Sequence, residues 1–156
     1  MTTETRREGI DLVLTRHYAA PPEALWKAWT TPELLVRWFA PDPVRVPEAV
    51  IEPHPGGRFQ VTMLLPDGSE ISSPGCVLLA EENRRLIFTD ALDPGFRPGA
   101  EPFMTAEISF EPEDGGTRYT AKVLHHGAEA CDRHEQMGFH EGWAAVAEQL
   151  AKIVER

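Results

Sequence analysis

The densest group of side chains able to do chemistry is Asp132-Arg133-His134-Glu135-Gln136, followed by Phe139-His140-Glu141. A His-Glu pair on a helix invites comparison with zinc peptidases, in which two histidines four residues apart share one helix face and hold the metal. His134 and His140 are instead six positions apart, about 240° around a helix, so they point to different sides. No metal site is expected, and the carboxylates suit a solvated helix start, where the dipole favours negative charge. A second group is Asp90, which strand alternation places on one face with Leu86 and Phe88. A carboxylate beside an apolar wall needs a partner. Arg97 or a helix histidine would supply one; otherwise Asp90 simply starts the turn into Asp93-Pro94. The third is His125, which shares a strand face with Tyr119, Ala121 and Val123 and would reach the end of an interior space, with His126 outside. Its alternative role is a bond to a neighbouring carbonyl. If they converge, Asp90, His125 and His140 are the residues for acid and base catalysis. No GxSxG motif and no obvious pairing of cysteine with histidine accompanies them, so covalent hydrolysis has little support.

The elements that must position these groups follow from periodicity and turn chemistry. Residues Asp11 to Ala19 alternate as a strand and end at Pro21-Pro22, which can open a helix. Leu25, Trp26 and Trp29 recur at helical spacing, and Thr31-Pro32-Glu33 restarts a second short helix with Thr31 as N-cap. Six further strand-like runs span Val44 to Glu52, Gly57 to Leu65, Glu70 to Ala80, Arg84 to Ala91, Phe103 to Glu111 and Thr117 to His125. Short turns such as Pro55-Gly56-Gly57 and Asp114-Gly115-Gly116 make neighbours antiparallel. The longer Asp93 to Pro102 loop, rich in Pro and Gly, is of the kind that borders binding sites. Glu129 to Glu155 reads as one long helix. With Leu150 at zero on a helical wheel, Phe139, Trp143 and Val146 lie within about 40° of it, so this face is buried. On the same wheel His134 and Glu141 fall opposite, Asp132 and Gln136 fall on the buried face, and Glu135 and His140 flank it. Gly138 and Gly142 lie four apart beside that stripe, where glycine costs about 1 kcal/mol each relative to alanine. Gly142 is expected to touch another backbone closely, and Gly138 to open space towards the cavity mouth. The expected fold class is therefore α+β, a helix-grip in which a curved seven-stranded antiparallel sheet wraps a long C-terminal helix, with two short helices after strand one.

Composition narrows the functions. The 156 residues fit one domain, expected over 10–156, with 1–9 as a flexible lead-in that lacks the apolar stretch of a signal peptide. A net charge of -10 repels phosphate backbones and anionic membranes, and no apolar run approaches the length of a membrane span. Neither nucleic acid nor membrane is an expected partner, and no cofactor motif is present. Two cysteines far apart in sequence, Cys76 and Cys131, favour a reduced, cytoplasmic setting, with a single disulfide as the alternative. The sequence leaves a homodimer open.

Ala20-Pro21-Pro22-Glu23-Ala24-Leu25-Trp26 with Ala28-Trp29, Thr31-Pro32-Glu33-Leu34 with Arg37-Trp38-Phe39, Pro55-Gly56-Gly57, Arg85-Leu86-Ile87-Phe88-Thr89 and Gly142-Trp143 occur in this order. Taken together they resemble the START-like, birch-pollen-allergen-like (SRPBCC) superfamily, in its branch similar to the activator of heat-shock-protein ATPase, over about Leu12 to Val154. His54 departs from the pattern, which leads one to expect arginine there. The resemblance implies a cavity between sheet and long helix, and it implies no fixed cofactor or reaction. Binding of a small apolar or aromatic molecule in that cavity is the first functional expectation. Its expected contacts are Trp38, Phe39, Phe88, Asp90, Phe96, Arg97, Met104, His125, Gln136, Phe139, His140 and Trp143. A cofactor-independent cyclase, hydratase or hydrolase using Asp90, His125 and His140 at the cavity mouth is the second, and a protein-binding activator of a chaperone ATPase the third.

Overall fold

The computed structural model describes residues 2–155; Met1 and Arg156, at the ends of the expected lead-in and domain, lie outside them. The chain begins with an antiparallel hairpin of β1 (Glu4–Glu8) and β2 (Asp11–Tyr18). β1 corrects the expected flexible lead-in. Its sequence has no apolar member, yet it pairs with β2 from Glu4↔Thr15 to Glu8↔Asp11, a charged edge of the kind that discourages further strand addition. The short helices α1 (Pro22–Thr30) and α2 (Pro32–Leu35) each start on a proline, and Thr31 caps the second without a side-chain hydrogen bond. They bury Leu25, Ala28, Trp29 and Leu35.

Next come β3 (Arg45–Ile51), β4 (Phe59–Leu64), β5 (Glu70–Ser73), β6 (Cys76–Glu81), β7 (Arg85–Thr89), the minimal hairpin β8 (Leu92–Asp93) and β9 (Arg97–Pro98), then β10 (Thr105–Glu113) and β11 (Gly116–Leu124). They do not form one seven-stranded sheet. Six strands pair in the order β1-β2-β11-β10-β7-β6, and β3-β4-β5 form a separate sheet. The run Glu70 to Ala80, expected as one strand, is cut by Pro74-Gly75, because proline cannot continue a ladder. β5 therefore stays with β4 while β6 pairs with β7. The sheets are joined at a corner by Phe59 N–H to Gly75 O (3.0 Å), Val77 N–H to Gly57 O (2.8 Å) and an isolated Arg58↔Cys76 bridge. The inner face of the large sheet follows the expected alternation. Leu12, Val123, Ala106, Phe88 and Val77 align in one cross-strand row, and Leu14, Ala121, Ile108, Leu86 and Ala80 in the next.

The helical C-terminus is two helices, α3 (Ala128–Gln136) and α4 (Phe139–Val154), rather than one. Gly138 breaks it with φ 95°, in the left-handed region. Three contacts fasten α4. The Tyr18 hydroxyl donates to Ala147 O (2.8 Å). The buried Arg16 guanidinium meets Glu148 through two nitrogens (3.0 and 3.2 Å) and Glu155 through a third contact (3.4 Å). Gln149 donates to Trp38 O and Ala40 O (3.0 and 2.9 Å), tying the segment after α2 to the helix. Cys76 and Cys131 are free and buried.

The two helix glycines have opposite surroundings to those expected of Gly142. A Cβ added at Gly142 meets nothing within 4 Å, whereas any side chain at Gly138 must enter the left-handed region. Gly142→Ala should therefore stabilise by up to about 1 kcal/mol, and Gly138→Ala should destabilise by about 1 to 2 kcal/mol. Urea denaturation of the two variants checks this, and a loss of stability in Gly142→Ala would restore the close contact.

Candidate functional site

Between α4, the inner face of the large sheet and the short helices lies a cavity of about 330 Å³. Its walls follow from the elements just described. The first half of α4 presents Phe139, Gly142, Trp143, Val146 and Ala147; the strands present Leu14 and Tyr119, with Met104 just before β10; the short-helix region presents Trp29, Trp38 and Phe39. Met63 and Leu65 close one side, and Phe103, His134, Met137 and Gly138 line the end near the helix break. Aromatic packing holds the walls in place. Trp29 and Trp38 meet edge to face at 4.8 Å, Phe139 and Trp143 stack at 5.3 Å, and the indole N–H groups of Trp29 and Trp38 donate to the Tyr119 hydroxyl and Ala28 O. No lysine, arginine, aspartate or glutamate is among the described residues of the wall.

The polar side chains of that wall are Tyr119 and His134. Burial pushes the Tyr119 phenol well above its ordinary range, so it stays neutral. His134 is buried, with its ring 4.6 Å from that of Phe103 and edge-on to Phe139. Its Nδ1 lies 2.9 Å from His125 Nε2, and His125 Nδ1 lies 2.9 Å from Ile10 O. The carbonyl only accepts, so His125 Nδ1 carries a hydrogen; with His125 neutral, its Nε2 must accept from His134 Nδ1–H. Burial, reinforced by the adjacent His125, lowers His134 from the ordinary 6.5 to about 4.

A smaller pocket of about 140 Å³ lies between the sheets, lined by Phe59, Ile71, Phe88 and Asp90 among others. Phe39, Met63 and Met104 border both spaces.

The structure thus places Trp38, Phe39, Met104, Phe139 and Trp143 on the main cavity, and Phe88 and Asp90 on the smaller pocket. The remaining expected contacts are elsewhere. Phe96 is half exposed and covers Gly56, and Arg97 is exposed in the β8–β9 hairpin. Gln136 is exposed, because the break at Gly138 resets the helical phase assumed for α3. His140 lies at the seam with β1, with Nδ1 near Thr5 Oγ1 (2.9 Å) and Nε2 near Glu135 Oε2 (2.7 Å). Asp132 and Glu135, expected to point inward, pair there with Arg7 at 2.6 and 2.8 Å. Asp90 is paired with neither Arg97 nor a histidine; its Oδ1 accepts from the backbone N–H groups of Phe103 (2.7 Å) and Met104 (3.1 Å). Asp90, His125 and His140 therefore do not converge. The same phase error hid His134, which the wheel put outside. Strand alternation placed Tyr119, and the same alternation in β2 and β4 could have found Leu14 and Met63, while Phe103 and Met137 had no sequence signal. Among the described residues no three His, Cys, Asp or Glu side chains are grouped to hold a metal.

A curved antiparallel sheet gripping a C-terminal helix around an apolar cavity is the architecture of the START-like, SRPBCC superfamily. Residues 19–155 match the family described as "Activator of Hsp90 ATPase homolog 1-like protein", and the chain belongs to that family. Among solved structures it is similar to a protein from Nitrosomonas europaea, with 40% identity, 92% of each chain covered and a TM-score of 0.89. It is also similar to one from Rhodobacter sphaeroides (26% identity, 96% of each chain, TM-score 0.83). The AHSA1 protein from Silicibacter pomeroyi has 26% identity, with 91% of this chain and 95% of that one covered and a TM-score of 0.68. Among curated proteins none matches.

The buried histidine makes stability depend on pH with a definite sign. Its folded value of about 4 lies below the ordinary 6.5, so the unfolded chain takes up the proton first. Stability present above pH 6.5 is lost as the pH falls towards 4. Glu135, held low by His140 and Arg7, and Glu148, held low by Arg16 and Thr3, lose their contributions only below the ordinary glutamate value of 4.5. Denaturation of the wild-type protein should therefore show a loss of roughly 2 to 3 kcal/mol between pH 7 and 4.5. His134→Phe should remove most of that slope, and an unchanged slope would mean that the ring titrates normally.

Proposed function

We propose that this protein binds a small, neutral, apolar or aromatic molecule in the cavity between α4 and the sheet. The observation that carries the reading is an aromatic-walled space of about 330 Å³ with no charged side chain in its described wall. About 150 Å³ suffices to hold benzene in an apolar protein cavity, so this one has room for a bicyclic aromatic. The SRPBCC fold is generally a ligand-binding scaffold, and membership of that superfamily supports the same reading. Two free, buried cysteines agree with a reducing cytoplasmic setting. The acid and base enzyme reading loses the convergence of Asp90, His125 and His140 on which it depended. The chaperone-activator reading rests on the family's description alone.

Naphthalene is a suitable probe, because Met63, Met104 and Met137 line the cavity and their methyl resonances report on its contents. Naphthalene should shift these methyl signals in the wild-type protein. Gly142→Phe, which projects a ring into the space beside Trp143, should abolish the shifts while the circular dichroism spectrum stays native. Binding that survives a folded Gly142→Phe variant would place the ligand elsewhere.

A further inference from the structure

The wall of the cavity carries one hydrogen-bond acceptor whose state is fixed from behind. His125 and His134 form a two-ring relay that ends on a backbone carbonyl, Ile10 O to His125 to His134, with both links 2.9 Å long. With both rings neutral, each link has a single direction, and the proton of His134 must sit on Nδ1. Its Nε2 is left as a bare lone pair. Among the described residues that nitrogen has no partner, although His134 is only 6% exposed. Among the described residues, no side-chain nitrogen or oxygen sealed from solvent lacks a partner, so Nε2 is not sealed off. His134 lines the cavity, and we infer that Nε2 opens into it. Phe103 and Phe139 both pack against the ring, at 4.6 and 5.2 Å, and the bond to His125 sets its orientation.

We propose that the cavity selects a neutral aromatic molecule bearing a hydroxyl group, such as a phenol or naphthol, whose O–H donates to His134 Nε2, with His125 as the positioning residue that fixes the tautomer. This rests on the cavity reading above and specifies its ligand class. An ionised ligand is disfavoured because the described wall offers no opposite charge. The imidazole does not supply one at neutral pH, because burial holds it uncharged. The Tyr119 hydroxyl oxygen already accepts from the Trp29 indole at 3.2 Å and still carries its own O–H, so the bare imidazole nitrogen is the stronger acceptor of the two. Around the pair, Arg7, Asp132 and Glu135 are engaged with one another on the outer side of α3.

The test compares naphthalene, 2-naphthol and 2-naphthoate by isothermal calorimetry with the wild-type protein and His134→Phe. The ratio of 2-naphthol to naphthalene affinity should be about five- to tenfold higher in the wild type, as expected for one net hydrogen bond. 2-Naphthoate should bind at least about tenfold more weakly than 2-naphthol. Should the variant fail to fold, nitrogen-15 NMR of the wild-type imidazoles decides the matter. Nε2 of His134 should resonate as an unprotonated ring nitrogen and move towards the hydrogen-bonded position with 2-naphthol but not with naphthalene. An equal affinity ratio in both proteins, a protonated Nε2, or tight binding of 2-naphthoate overturns the proposal while leaving the cavity reading intact. Failure of both naphthalene and 2-naphthol to bind overturns the cavity reading itself.

Discussion

Arg16 stands on the inner face of β2, in line with Leu12, Leu14 and Tyr18, and much of the architecture answers that one placement. A buried guanidinium must be paired, because an isolated charge in an apolar interior is untenable. Glu148 meets it with both oxygens, Glu155 approaches from the end of α4, and the Tyr18 ring lies 4.4 Å beneath it. These contacts fix the C-terminal half of α4 against the strand. The N-terminal half is set independently by the left-handed turn at Gly138 and by the contact of α3 with β1 through Arg7. Between these two fastenings α4 stands off the inner face of the sheet. The gap that remains is filled from the side by Trp29 and Trp38, and what they leave unfilled is the cavity.

The parts of this arrangement visible in the sequence were those written in period two or period three to four. Strand alternation gave the inner residues of β11, and the spacing of Phe139, Trp143, Val146 and Leu150 gave the working face of α4. β1 was hidden because its five residues carry no apolar signal and are held by ladder hydrogen bonds and ion pairs. The division of the helix was hidden for a different reason. Gly138 was read as a costly member of a helix, when its φ of 95° makes it the break between two helices. A wheel drawn through that break carries the phase of α4 into α3, which turned His134 outward and Asp132 and Gln136 inward. Asp90 shows the limit of face assignment in general: alternation placed it beside an apolar wall, but backbone N–H groups thirteen and fourteen residues on satisfy it.

The histidine pair shows how the fold keeps a polar group inside without a charge. His125 is anchored by Ile10 O in the turn between β1 and β2, so the hairpin missed in the sequence is what orders the relay. His134 then packs against Phe103, from the segment before β10, and Phe139, the first residue of α4. Elements from the beginning, middle and end of the chain therefore meet at one imidazole. Its low basicity follows from that enclosure first and from the neighbouring ring second.

Apolar atoms that line an open space forgo the dispersion contacts of a close-packed interior. A space of about 330 Å³ beside α4 leaves apolar surface without the partner atoms a packed core would supply. Alanine at Gly142 would be better for the helix, and a larger apolar side chain there would recover contact area as well. The sequence keeps glycine at a point where nothing sterically requires it. A local rule broken where nothing compensates is expected at functional sites more than elsewhere. In this chain that position faces the cavity on the same helix end as His134 and Phe139, so the bare helix face and the bare imidazole nitrogen are two features of one space.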